Sequence, residues 1–196
     1  LTLESLEETQ YQLVAHAQDL AGNTTYNTIS YTIDKTPPLI NLISPVANSV
    51  IGGDSAIVNV TGEITDTNFD YYDISIAPVS NNPVWQTIHT GTELADSGFN
   101  IEQSLAVNDG LYLIRLTAYD KAGWQSEQTV EVILDTTAPV SLISQPSNNS
   151  TIAANSQVLG TATDDNLDFY TLSYKLSGTT EWKIINIGQT SISSEQ

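Results

Sequence analysis

Aspartate and asparagine recur along this chain in short groups whose oxygens suit a hard cation. One set comprises Asp34, then Asp66, Asn68 and Asp70 within TDTNFD, then Asp120. A second comprises Asp135, then Asp164, Asp165, Asn166 and Asp168 within TDDNLD. Asp19 occupies the same local setting as Asp120, each eight residues after a tyrosine (Tyr11 and Tyr112). Carboxylates gathered in one place repel one another unless a cation neutralises them. Ca²⁺ fits such a mixture best, because it accepts roughly six to eight oxygens from carboxylates, amides and backbone carbonyls in flexible geometry, whereas Mg²⁺ demands a strict octahedron. Calcium is therefore the expected cofactor, with TDDNLD the richer cluster. Neither set has the spacing of an EF-hand loop. Taken singly, Asp19 or Asp120 fits a plainer role, capping a turn through bonds from backbone N–H groups. A cation becomes the better reading only if separate segments converge.

Convergence needs elements that bring distant loops together, and the sequence supplies them as a repeat. YQLVAHAQDLAGN (11–23) aligns with YLIRLTAYDKAGW (112–124) at an offset of 101. Asp34 and Asp135, Pro38 and Pro139, and Pro45 and Pro146 keep that offset. GEITDTNFDYYDISI (62–76) aligns with GTATDDNLDFYTLSY (160–174) at 98, and Trp85 with Trp182 at 97. One whole unit is expected over 38–135. Residues 1–34 read as the closing strands of a unit, and 139–196 as the opening strands of another. Such a phase implies part of a longer array, or a chain whose residues 139–196 are completed by residues 1–34 of a neighbour, head to tail. A closed swapped oligomer, or a pairing within one chain, satisfies the same strands.

Within the units, polarity alternates. Tyr112, Ile114, Leu116 and Ala118 face one way, Leu113, Arg115, Thr117 and Tyr119 the other, and 129–134 and 29–33 also read as strands. Asn108-Asp109-Gly110, Gly52-Gly53, Asn81-Asn82-Pro83 and Ser147-Asn148-Asn149 punctuate them. The expected fold class is all-β: tandem immunoglobulin-like Greek-key β-sandwiches of 98–101 residues per repeat. Tyr112 opens the penultimate strand, where such sandwiches often carry a tyrosine corner. In this topology the connector before the first strand, the loop after the second and the loop before the last meet at one pole. Asp34, Asp66, Asn68, Asp70 and Asp120 are thereby expected at one junction. Asp135, Asp164, Asp165, Asn166 and Asp168 are expected at the next, where Asp19 is the equivalent of the missing loop acid. The proline after each acidic connector restricts the backbone, so acid plus proline reads as a hinge pinned by metal.

The run Y-x-L-x-A-x-A-x-D-x-A-G-N, followed by D-x-T-x-P and a strand ending in S-x-P or S-Q-P, resembles the bacterial Ig-like repeat family of long surface adhesins and other large extracellular proteins. Trp124 departs from it, standing where the first copy has Asn23. The resemblance implies an extracellular or cell-surface location, secretion, and neighbouring Ig-like domains or copies of the chain itself as partners.

Composition narrows the functions further. The chain has 196 residues and 23 acidic side chains against 5 basic ones, a net charge of −18. Such a surface repels phosphate backbones and anionic headgroups, which excludes nucleic acid, and no apolar run is long enough for membrane insertion. There is no cysteine, hence no disulfide or thiolate site. The missing initial methionine is expected of a processed protein or an excised fragment. His16 and His89 lie beside no nucleophile, and no nucleophile elbow, zinc-protease helix or phosphate loop is present. No catalytic residue is expected, and the chain does not read as an enzyme. The Asn-x-Ser/Thr triplets at Asn23, Asn59, Asn148 and Asn149 say little in an asparagine-rich β-protein. Trp85 and Trp182 are expected to pack within each unit, and Trp124 against a neighbouring domain. The expected function is a structural stalk, spacer or filament subunit, rigidified by calcium and polymerising head to tail through its strands. The alternative is an adhesin or carbohydrate-binding module that presents loops and aromatics to a host or surface glycan.

Overall fold

The computed structural model describes residues 6–53, 56–94 and 98–193, and every regular element among them is a strand. Among the described residues no helix is long and apolar enough to cross a membrane. The first two strands, β1 (Gln10–Gln18) and β2 (Thr24–Thr32), pair antiparallel from Gln10↔Thr32 to Gln18↔Thr24. The next eight build a two-layer sandwich: β3 (Leu39–Ser44), β4 (Ser49–Gly52), β5 (Ile57–Thr65), β6 (Phe69–Pro78), β7 (Gln86–Gly91), β8 (Phe99–Ser104), β9 (Gly110–Asp120) and β10 (Gln125–Asp135). One layer runs β3-β5-β8 and the other β4-β10-β9-β6-β7, the strand order of an immunoglobulin-like Greek key. The shortest of these strands, β4, has four residues.

The alternation read from the sequence sets the core. Ile114, Leu116 and Ala118 on β9 are fully buried, as are Ile74 on β6, Val58 and Val60 on β5, and Val132 on β10. Burying each large side chain contributes about 1.5–3 kcal/mol relative to exposure. A close contact fixes the geometry at Gly91, since a Cβ there would collide with the Tyr72 ring. Trp85 lies half-buried beneath the Arg115 guanidinium, 4.0 Å from the ring centroid.

The last four strands are β11 (Val140–Gln145), β12 (Leu159–Thr163), β13 (Tyr170–Tyr174) and β14 (Lys183–Gly188). They form two separate pairs, β11-β12 and β13-β14. The first pair reproduces β3-β5, including a register shift between Ile143 and Gln145 that matches Leu42/Ser44. The second reproduces β6-β7, shifting between Leu172 and Ser173 as β6 does between Ile74 and Ser75. Gly188 lies under Tyr170 as Gly91 lies under Tyr72. Residues 150–153, which correspond to β4, form no strand. The reason is local: β4 is held by β10, and no counterpart of β9 or β10 follows Gly188 among the described residues.

By contacts the chain falls into two compact units. One holds Leu1–Ser49, Ile57–Leu105 and Gly110–Ile133, the other Val50–Ala56, Ala106–Asp109 and Leu134–Gln196. These boundaries differ from those of the sequence repeat.

Candidate metal centre

Asp34 follows β2 on the connector, Asp66 follows β5, and Asp120 ends β9. The sandwich topology brings them together: one carboxylate oxygen of each lies within 4.8 Å of the others. Oxygens that share one Ca²⁺ at about 2.3–2.6 Å are at most about 5 Å apart, so the spacing fits that ion.

Each acid is held by local bonds. Asp34 Oδ1 accepts from the Thr36 amide at 3.1 Å, and Asp34 Oδ2 from Asn68 Nδ2 at 2.6 Å. Asp66 Oδ1 accepts from the Asn68 amide at 2.7 Å. Asp120 Oδ1 accepts from the amides of Ala122 at 2.8 Å and Trp124 at 2.9 Å, while the Asn68 carbonyl accepts from the Lys121 amide at 2.9 Å. Asp120 is 3 % exposed, and its Oδ2 is buried without a hydrogen-bond partner. Burial, then the charges of Asp34, Asp120 and Glu8, push the Asp66 carboxyl above its ordinary value, against a lowering by the Asn68 amide.

The equivalent turn at Asp19 explains the orphan. Asp19 Oδ1 accepts from the Ala21 and Asn23 amides, and Asp19 Oδ2 from Asn23 Nδ2 at 2.7 Å. Position 124 is tryptophan instead of asparagine, so Asp120 Oδ2 receives no such cap. The Trp124 indole N–H donates to the Asp34 carbonyl at 3.2 Å. Trp124 thus ties the β9–β10 turn to the connector that carries Asp34.

At Asp135 the first half of the arrangement recurs. Asn166 Nδ2 donates to Asp135 Oδ2 at 2.7 Å, and Asp164 Oδ1 accepts from the Asn166 amide at 2.8 Å. The three-acid group, however, forms at Asp34, the junction the sequence ranked second. TDDNLD has more acids, but Asp165 and Asp168 are exposed and the Asp120 counterpart is missing from that set. Asp70, exposed on β6, also lies outside the group, and Asp19 is exposed in the β1–β2 turn.

A second repeated device escaped the sequence reading. The Thr36 hydroxyl donates to Glu8 Oε2 at 2.7 Å, and the Thr137 hydroxyl to Asp109 Oδ2 at 2.6 Å. Asp109 Oδ1 also accepts from the Thr136 amide at 2.8 Å and hydroxyl at 2.7 Å. The Thr137 hydroxyl foremost, then Thr136, holds the Asp109 carboxyl below its ordinary value. Glu8 and Asp109 share the offset of 101, a signal masked by the change of residue type. In D-x-T-x-P, then, the acid turns to the loop asparagine and the threonine to an acid two or fewer residues before a strand.

No family model matches the chain, and no curated protein matches its sequence. Among solved structures it is similar to one described as a tetra-tandem repeat in the extending region of a large adhesion protein, at 21% identity and a TM-score of 0.45. That match covers 98% of this chain and 48% of the other, so the chain spans about half its length.

Proposed function

We propose that the chain is a non-catalytic structural module of a surface or extracellular array, and that Ca²⁺ bound by Asp34, Asp66 and Asp120 stiffens the connector entering the β3–β10 sandwich. The observation that carries this reading is the buried, unpartnered Asp120 Oδ2, set against two further carboxylates. A carboxylate taken out of water without a partner is costly, and a divalent cation offsets that cost. The connector acid, the β5–β6 loop acid and the β9 acid come from three segments, so an ion joining them restrains all three. The function is mechanical: the ion restricts bending where one repeat passes into the next. Asp135, Asp164 and Asn166 offer the incomplete form of the same site, which a turn of the Asp19 type completes.

Isothermal titration with calcium, paired with thermal melts in calcium and in EDTA, tests it. Binding in the range of extracellular modules, roughly 10⁻⁴–10⁻³ M, is expected, with a higher melting temperature in calcium. Asp120→Asn keeps an oxygen for the Ala122 and Trp124 amides but removes the charge, and should abolish the response. A native chain whose melting is the same in calcium and EDTA overturns the proposal.

A further inference from the structure

We infer that the Asp109–Gly110 peptide is a covalent modification site, where the chain isomerises to isoaspartate through a succinimide, and that the clasp on Thr136 and Thr137 sets the rate. The Gly110 amide nitrogen attacks Asp109 Cγ, a C–N bond forms, and one carboxyl oxygen leaves as water. Water then opens the five-membered ring. Opening at the side-chain carbonyl restores aspartate. Opening at the main-chain carbonyl leaves the chain running through Cβ and Cγ, with a free carboxylate on Cα. One water is lost and one regained, and no oxidant or cofactor is consumed. Glycine hinders the attack least, and an Asp-Gly pair occurs once in the 196 residues.

The fold builds this pair into the entry of β9. Gly110 opens the strand at φ +149°, a conformation that favours glycine. Asp109 is required by the clasp: its Oδ1 accepts from the Thr136 amide and hydroxyl, and its Oδ2 from the Thr137 hydroxyl. At the offset of 101 the matching pair is Glu8–Thr9. There the extra methylene demands a six-membered ring, and the β-branched threonine crowds the attacking nitrogen. The Glu8 carboxylate makes the equivalent bond to Thr36 without the reactive neighbour. The modification is therefore confined to one of two equivalent clasps.

The clasp opposes the reaction in two ways. Attack needs Cγ free to turn toward the Gly110 nitrogen, whereas three bonds hold the carboxylate against the connector. The leaving oxygen departs from a protonated carboxyl, whereas the Thr137 and Thr136 hydroxyls hold Asp109 ionised, below its ordinary value. Asp109, Thr136 and Thr137 are all exposed, and hydrogen bonds at an exposed loop open locally at small free energy. The reaction is thus slowed, not blocked. Its product cannot reclose the clasp: the new carboxylate sits on Cα, nearer the main chain, and the main chain is one atom longer. Bonds of 2.6–2.8 Å to Thr136 and Thr137 are lost, and the connector is released irreversibly. No cation takes part, so the calcium reading stands or falls separately.

Prolonged incubation of the whole chain at neutral pH, followed by proteolysis and electron-transfer mass spectrometry, tests this. Isoaspartate at position 109 should accumulate slowly in the native chain, faster in Thr137→Ala and in Thr136→Ala/Thr137→Ala, and fastest in the urea-unfolded chain. Each lost hydroxyl bond is expected to raise the rate by about two- to tenfold. Asp109→Glu should stay unmodified under all conditions. A chain unmodified at 109 even when unfolded overturns the site, and equal rates in the native, variant and unfolded chains overturn the gating. In the isoaspartyl fraction the Thr136 amide, freed from Asp109 Oδ1, should exchange its hydrogen faster by NMR; unchanged protection overturns the release of the connector.

Discussion

Asp19 and Asp120 show how one neighbouring side chain decides whether a turn-capping aspartate keeps an unpartnered oxygen. Both accept the same two backbone amides, but Asn23 covers the second oxygen of Asp19 while Trp124 leaves that of Asp120 bare. Trp124→Asn should cap Asp120 and weaken calcium binding several-fold by titration calorimetry; unchanged affinity would show that the second oxygen is not a ligand. Asp66 supplies the pH dependence. Its folded carboxyl sits above the ordinary 3.8, first because it is partly withdrawn from water. The folded state then binds its proton more tightly, so apo stability falls as pH rises from about 3.8 through the raised value. Calcium bound at the proposed site would replace the proton and relieve that loss. The calcium-induced rise in melting temperature should be full at neutral pH and shrink as pH falls into that window. A rise independent of pH would remove Asp66 from the site.

At the scale of elements, equivalent strands of the repeat meet different fates according to what covers them. β9 is buried between β6 and β10, whereas β1, its counterpart in the repeat, has an exposed face. Ile114→Ala should therefore cost about 2–5 kcal/mol in urea unfolding, and Leu13→Ala, in dilute chain, no more than about 0.5 kcal/mol. Equal losses would mean that β1 is already packed in the free chain. The alternation of Ile114, Leu116 and Ala118 foretold which side of β9 is buried. It gave no hint that residues 150–153 would stay irregular. That outcome depends on a pairing partner, and a strand's hydrogen bonds lie in another segment of chain.

For the whole molecule, the governing quantity is an acidic charge with few opposing groups. One ion pair is formed among the described residues, Arg115 with Glu127 at 3.6 Å, and it is partly exposed. Self-repulsion at −18 opposes the compact state and is screened by salt. Adding monovalent salt to the calcium-free chain should raise its melting temperature, and calcium should do so at concentrations far below those required of sodium. Equal molar potency of the two ions would reduce the acidic junction to general screening.

The repeat, the sandwich class and the approach of Asp34, Asp66 and Asp120 to one another were all legible in the sequence, because polarity with a period of two and duplicated loops are local signals. The tertiary structure alone decided which junction gathers three acids, that Asp120 keeps an unpartnered oxygen, and that Glu8 and Asp109 clasp the connector threonines. Those facts depend on distances of a few ångströms between segments far apart in the chain. Packing sets such distances, and no periodicity encodes them.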